Sequence, residues 1–145
     1  MCAGGGVAAA DARAVRQHHG AFVSRAAIKR LASPEERRLV EWLLRNAATT
    51  ADAASFLAQV PDLHVVGGCS CGCPSVDFKI GGQDAVASII ADAEGTSPEG
   101  LPVGVILWAK HDRISGLEVY PFEDTQHFGM PDLKTLRPAF GSGAV

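Results

Sequence analysis

The sequence predicts an α+β fold, with two N-terminal helices packed on one face of a four- to five-stranded antiparallel meander. Apolar residues recur at helical spacing up to Pro61, and beyond it they alternate with polar residues as in strands. The connections between the later segments are short, which favours antiparallel pairing over helical crossovers. The 145 residues are 47% hydrophobic and 20% charged, which is typical of a folded globular domain and not of a disordered chain.

The first helix has the clearest start signal in the chain. Ser33 and Glu36 form a capping box, and Pro34 occupies the first helical position. The helix should end near Asn46, a residue that tolerates a left-handed cap. Its apolar face is predicted to contain Leu39, Val40, Trp42, Leu43, Leu44 and Ala47.

Two other segments are predicted to be helical. Thr49 or Thr50 can cap a second helix, Asp52 suits its positive first turn, and Pro61 ends it. A short helix is also predicted within residues 22–32, where apolar residues recur at helical spacing.

The second half of the chain is predicted to be mainly strands. Residues 83–94 fit a helix as well as a strand, and the turn-rich loop after them favours a strand over 87–94. Residues 101–110 are apolar throughout and predict a central strand covered on both faces. The other predicted strands cover residues 63–66, 75–80 and 114–120, and a single helical turn is predicted over 131–136.

Three positions in these strands carry specific expectations. Ser75 should point outward from its strand, and Glu118 should face solvent because it alternates with apolar neighbours. Asp112 is the expected left-handed residue of the tight turn over 110–113.

The domain organisation is interpreted as an N-terminal extension, a single domain and a short tail. Residues 1–32 form the extension, partly helical or mobile; residues 33–138 form the α+β domain, and residues 139–145 should fray. No stretch of about 18 residues is apolar enough to span a membrane. The start of the chain lacks the pattern of a secretory signal, so a cytoplasmic location with reduced cysteines is expected.

Positive charge is concentrated near the N-terminus. Residues 1–38 hold seven Lys or Arg against three acidic residues, while the whole chain has a net charge of −3. A basic arm can bind nucleic acid, but no aromatic platform or helix-turn-helix spacing accompanies it. A solvated surface is the preferred interpretation, and nucleic acid is not an expected partner.

Cys69, Cys71 and Cys73 form the one segment with unusual chemistry. In an extended strand the outer two sulfurs would lie about 13 Å apart, too far to bind one ion. Tetrahedral zinc needs sulfurs roughly 3.8 Å apart, so the segment can bind zinc or iron only if the flanking glycines let it curl. The candidates for a fourth ligand are His64, His111, His127, Cys2 and a thiolate of a second subunit.

Two other interpretations of the cysteines stay open. The spacing is neither the paired C-x₂-C of zinc ribbons nor the C-x-x-C redox motif, so a plain turn with small packed thiols is the preferred one. A thiol-dependent enzyme would need a reactive thiolate beside a base, and the histidines are candidates for that base only by residue type.

Several segments together resemble a small bacterial domain family with no assigned activity. The most specific is Cys71-Gly72-Cys73-Pro74-Ser75-Val76-Asp77-Phe78, supported by Ser115-Gly116-Leu117-Glu118-Val119-Tyr120 and by residues 130–138. The resemblance covers about residues 33–138. It implies a bacterial cytosolic protein and carries over no catalytic residue.

The preferred function is a non-enzymatic binding module that self-associates as a homodimer or binds a protein partner, because no catalytic constellation can be assembled from the sequence. A meander also leaves edge strands that must be covered or paired. The alternative is a metal-thiolate protein using Cys69, Cys71 and Cys73, with His64 as a further candidate ligand. A thiol-dependent enzyme is the weaker alternative.

Overall fold

A computed structural model describes residues 25–82, 85–124 and 127–139. Within these ranges, two α-helices accompany one antiparallel sheet of seven strands, which confirms the α+β class. The sheet is larger than the four or five strands expected. The predicted extension up to residue 24 and the tail from residue 140 lie outside the described residues.

The elements follow one another along the chain with short connections. The helices are α1 (Pro34–Asn46) and α2 (Ala53–Leu57), and single 3₁₀ turns cover Val60–Asp62 and Leu133–Thr135. The strands are β1 (Arg25–Leu31), β2 (His64–Cys69), β3 (Val76–Phe78), β4 (Ala87–Thr96), β5 (Pro102–Lys110), β6 (Arg113–Pro121) and β7 (Arg137–Pro138).

The sheet is not a simple meander, because its strand order is β1-β2-β3-β6-β5-β4-β7. Two groups of consecutive antiparallel strands, β1 to β3 and β4 to β6, join where β3 pairs with β6 through Val76↔Leu117 and Asp77↔Gly116. The short β7 then pairs with β4 at the far edge. Strand periodicity carries no information about this long-range pairing, so the sequence did not predict it.

The segment over Arg25–Leu31 is a strand and not the predicted helix. It pairs antiparallel with β2, with Arg25 opposite Cys69 and Leu31 opposite His64. An available partner strand overrides a weak local helical pattern. The sheet therefore begins inside the segment assigned to the N-terminal extension.

The capping box of α1 is confirmed. The Ser33 hydroxyl accepts from the Glu36 amide at 3.0 Å, and the Glu36 carboxylate accepts from the Ser33 amide at 2.8 Å. The helix ends at Asn46 as expected, but its C-cap is Ala47 at φ −134°, so no left-handed residue closes it. The second helix is shorter than expected and has no side-chain cap.

The hydrophobic core lies between α1 and one face of the sheet. Its buried residues include Leu39 and Leu43 of α1 and Val105 and Leu107 of β5, and burial of each such side chain is worth about 1.5–3 kcal/mol. Ile106 is also fully buried, although its side chain alternates to the opposite face. The prediction that this strand is covered on both faces is confirmed.

The opposite face of the sheet contains a buried polar contact. Glu118 is only 7% exposed and accepts a hydrogen bond from the Trp108 indole at 3.1 Å. The expectation that Glu118 faces solvent is therefore wrong. Tyr120, two residues further along β6, lies directly over Gly104, leaving no space for a side chain there.

The tight turn between β5 and β6 has its positive φ at His111 (54°), and Asp112 is not left-handed as predicted. The expected single helical turn near the C-terminus is the 3₁₀ turn over Leu133–Thr135. No helix among the described residues is long and apolar enough to cross a membrane.

Candidate metal centre

The cysteine segment forms a tight turn between β2 and β3. Cys69 is the last residue of β2, and its carbonyl accepts a hydrogen bond from the Gly72 amide at 3.1 Å. Gly72 has φ +90°, a conformation that L side chains rarely adopt, so glycine is strongly favoured at this point. The chain therefore curls at this segment. With this spacing of the cysteines, such curling is necessary for the three sulfurs to bind one ion.

The turn brings three sulfur atoms together. The Sγ atoms of Cys69, Cys71 and Cys73 all lie within 4.8 Å of one another, and all three residues are half-buried. Cys69 and Cys71 form a disulfide, so the expectation of reduced cysteines does not hold for this pair, and Cys73 is a thiol. A tetrahedral Zn–S₃ unit needs sulfurs about 3.8 Å apart, so reduced thiols at this turn need only small side-chain movements to share an ion.

Cys73 is held from two sides. Its backbone amide donates a hydrogen bond to Cys71 Sγ at 3.4 Å. Its side chain packs against the hydrophobic core. The third sulfur is thus fixed relative to the second through the backbone.

The loop is anchored to the sheet by Ser75, a residue that the sequence assigned to the outer face of a strand. Its hydroxyl accepts from the Val119 amide at 2.9 Å and donates to the Val119 carbonyl at 3.1 Å. Ser75 is 6% exposed, so the outward orientation is wrong. No local signal could have found this contact, because Val119 is 44 residues away in the sequence.

The backbone also approaches closely at the entry to the turn. A Cβ atom on Gly68 would lie 3.0 Å from Ile28 Cδ1, so a larger residue would require the end of the Ile28 side chain to move. The glycine therefore serves close packing here, in addition to the loosening of the chain that the sequence suggested.

The histidines considered as ligands lie elsewhere. His64 is the first residue of β2, about 16 Å along the strand from Cys69, and its Nδ1 lies 3.0 Å from the Asp62 carbonyl oxygen. Within the described ranges, the group of clustered ligand atoms includes neither His64, His111 nor His127. Cys2 lies outside the described residues.

Three clustered cysteines can perform two kinds of chemistry once they are reduced. As thiolates they are soft ligands that suit zinc, iron and other thiophilic ions. As a pair they can be oxidised to a disulfide, with the third thiol beside it. Comparison of the chain with protein-family models, curated proteins and solved structures gave no match.

Proposed function

We propose that this protein is a metal-thiolate protein that binds one zinc or iron ion through Cys69, Cys71 and Cys73. The observation that supports the proposal is that the Cys73 sulfur and the two sulfurs of the Cys69–Cys71 disulfide lie within 4.8 Å of one another at a single turn. Residues so close in sequence form a small chelate ring, so little chain entropy is lost on binding. The site is structural or sensory, with no catalytic base assigned to it.

Charge and coordination number favour a thiophilic divalent ion. Three thiolates around Zn(II) leave one negative charge and one open coordination position, since zinc is normally four-coordinate. The fourth ligand is a solvent molecule, an exogenous thiol, Cys2 or a thiolate of a second copy. Metal binding requires deprotonated, reduced sulfur, so we also propose a reducing compartment, the cytoplasm.

Native mass spectrometry of reduced, untagged protein purified without chelator tests the proposal. We expect one ion per chain, lost on acidification, and competition with a chromophoric chelator then gives its affinity. Cys71→Ser should weaken binding by more than about 100-fold, because even outer-shell partners are worth roughly 10–100-fold in affinity.

Two control variants separate a specific site from general effects on the loop. Ser70→Ala alters an exposed residue inside the same turn and should leave the affinity unchanged. His64→Ala should do the same, because His64 lies at the other end of β2. The proposal fails if reduced wild-type protein binds zinc no more tightly than the variant in which all three cysteines are serine.

Self-association is the second candidate function, and the β1 edge of the sheet supports it. An edge strand offers backbone groups to another strand, and Leu31 on β1 is 53% exposed, with Val66 on the neighbouring β2 39% exposed. Against this, Lys29 and Arg30 place positive charge along the same strand, a common protection of edges.

Sedimentation velocity over a wide range of protein concentrations tests this candidate. If the dimer forms through the β1 edge, Leu31→Lys should weaken it, so that the variant dissociates at a higher protein concentration than the wild type. Val86→Lys, at an 80% exposed position outside that edge, is the matched control. A monomer at all concentrations removes this candidate and leaves the metal proposal standing.

A further inference from the structure

We infer that the cysteine turn also reacts with low-molecular-weight disulfides such as glutathione disulfide, which oxidise Cys69 and Cys71 to an intramolecular disulfide and thereby release the metal. The release half of this inference rests on the proposed function. The oxidation half stands on the geometry of the turn alone. The substrate class is a small disulfide that can reach a half-buried surface loop.

The fold accommodates the oxidised pair without rearrangement. The Cα atoms of Cys69 and Cys71 lie 5.2 Å apart, inside the range of about 4.4–6.8 Å that disulfides occupy. The turn sets this separation, because the Gly72 amide donates a hydrogen bond to the Cys69 carbonyl and leaves Ser70, between the two cysteines, exposed. The same backbone therefore suits the disulfide and the clustered thiols.

Oxidation and metal binding exclude each other. The thiolate, and not the disulfide sulfur, is the metal ligand, so the oxidised turn retains a single ligand at Cys73. One sulfur from the protein cannot hold zinc against solvent and competing thiols. The metal thus protects the pair from oxidation, and oxidation of the pair empties the site.

Cys71 is the sulfur placed to react first. Its sulfur accepts a hydrogen bond from the Cys73 amide at 3.4 Å, which holds that sulfur in place within the turn. Its thiolate attacks one sulfur of the small disulfide, forming a mixed disulfide and expelling one small thiolate. Cys69 then attacks the Cys71 sulfur, closes the intramolecular bond and expels the second small thiolate.

The two steps balance. Two protein thiolates and one small disulfide become one protein disulfide and two small thiolates, and two electrons pass from the cysteine sulfurs to the small disulfide. The reverse reaction with excess small thiol restores the metal-binding form. Cys73 takes no part in the electron transfer and remains a thiol throughout.

This division of roles makes Cys73 the diagnostic position. Cys73→Ser should lose most of its zinc affinity and still form the Cys69–Cys71 disulfide. Cys69→Ser should lose both properties and accumulate a mixed disulfide at Cys71 instead. Formation of the Cys69–Cys71 disulfide therefore distinguishes the two variants, although each removes one sulfur of the same turn.

The experiment uses the full chain in a Cys2→Ser background, so that only the three clustered cysteines react. Zinc-loaded protein is equilibrated with buffers of increasing glutathione disulfide to glutathione ratio. A zinc-sensitive dye reports released metal, and acid quenching, alkylation and peptide mass mapping locate the thiols. We expect one zinc ion released per disulfide formed, with Cys73 as the alkylated residue.

The possible failures are distinguishable. If zinc binds but the turn only accumulates glutathione adducts, or keeps its metal at every ratio, this inference is wrong and the proposed function stands. If no zinc binds but the disulfide forms, the proposed function is wrong and only the oxidation half of the inference remains. Formation of a disulfide that includes Cys73 also contradicts the inference, because it would give that thiol an electron-transfer role.

Discussion

The hydroxyl of Ser75 bonds to both backbone groups of Val119, accepting from its amide at 2.9 Å and donating to its carbonyl at 3.1 Å. Where the cysteine loop returns to the sheet, the Ser75 side chain thus makes the two hydrogen bonds to Val119 that the backbone of a neighbouring strand would otherwise make. This contact fixes the base of the loop, because Cys73 is only two residues before Ser75. The geometry of the thiols and the stability of β6 are therefore linked.

Ser75→Ala should destabilise the protein and loosen the cysteine turn. The substitution leaves the buried amide and carbonyl of Val119 without this partner, at a cost of about 1–3 kcal/mol in the free energy of unfolding. Urea denaturation measures the change. Ser70→Ala, at an exposed position in the loop, should stay within about 0.5 kcal/mol of the wild type, and an equal loss in both variants would contradict the anchoring role.

Gly72→Ala should weaken zinc binding through the backbone. Gly72 has φ +90°, and a Cβ atom added there would have no other atom within 4 Å, so the cost is conformational strain and not a clash. Left-handed strain of about 1–2 kcal/mol favours a different turn and should lower the affinity roughly tenfold. Chelator competition measures the affinity.

Gly82 provides the control for this backbone effect. It has φ +75° with the same open surroundings, but it lies after β3 and outside the cysteine turn. Gly82→Ala should cost similar stability and leave the zinc affinity unchanged. Equal losses of affinity in the two variants would mean that the effect is global.

Glu36 should make stability depend on acidic pH. Burial raises the pKa of this carboxyl, but hydrogen bonds from the Arg30 guanidinium, at 2.8 and 2.9 Å, and from Ser33 outweigh burial and hold the pKa below its usual value. A lowered pKa in the folded state contributes stability above the unfolded pKa near 4.5, and this contribution is lost as the pH falls through the folded value.

Glu36→Gln should therefore be less stable at neutral pH and lose part of the dependence of stability on pH below the unfolded pKa near 4.5. The expected loss at neutral pH is about 1–2 kcal/mol, near the lower part of the range for charged hydrogen bonds, because the Arg30 side chain is 42% exposed. Urea denaturation across this pH range measures both effects. Glu35→Gln, exposed in the same helical turn, should keep the wild-type acid dependence.

Gly104→Ala should be destabilising because its methyl group would overlap the Tyr120 ring. Forcing the ring away should cost about 1–3 kcal/mol, as for other overpacked sites. A double-mutant cycle with Tyr120→Ala checks the cause, since most of the penalty should vanish once the ring is removed. If the stability losses of the two substitutions were simply additive, the strain in Gly104→Ala would not come from Tyr120.

Local signals in the sequence predicted much of the secondary structure. The capping box at Ser33 and Glu36 defined the start of α1, because capping uses groups only three residues apart. The apolar run over 101–110 predicted β5 and its burial on both faces. The glycines around the cysteines allowed a tight turn, which is also a local property, but the sequence left open whether that turn binds a metal.

Only the tertiary structure decided the pairing of distant segments. Arg25–Leu31 became a strand because β2 was available beside it, and β3 reached β6 across the long β4–β5 hairpin. The burial of Ser75 and Glu118 follows from partners on other strands. Alternation along a strand tells which residues share a face, but which side chains or layers cover that face depends on contacts that no local pattern encodes.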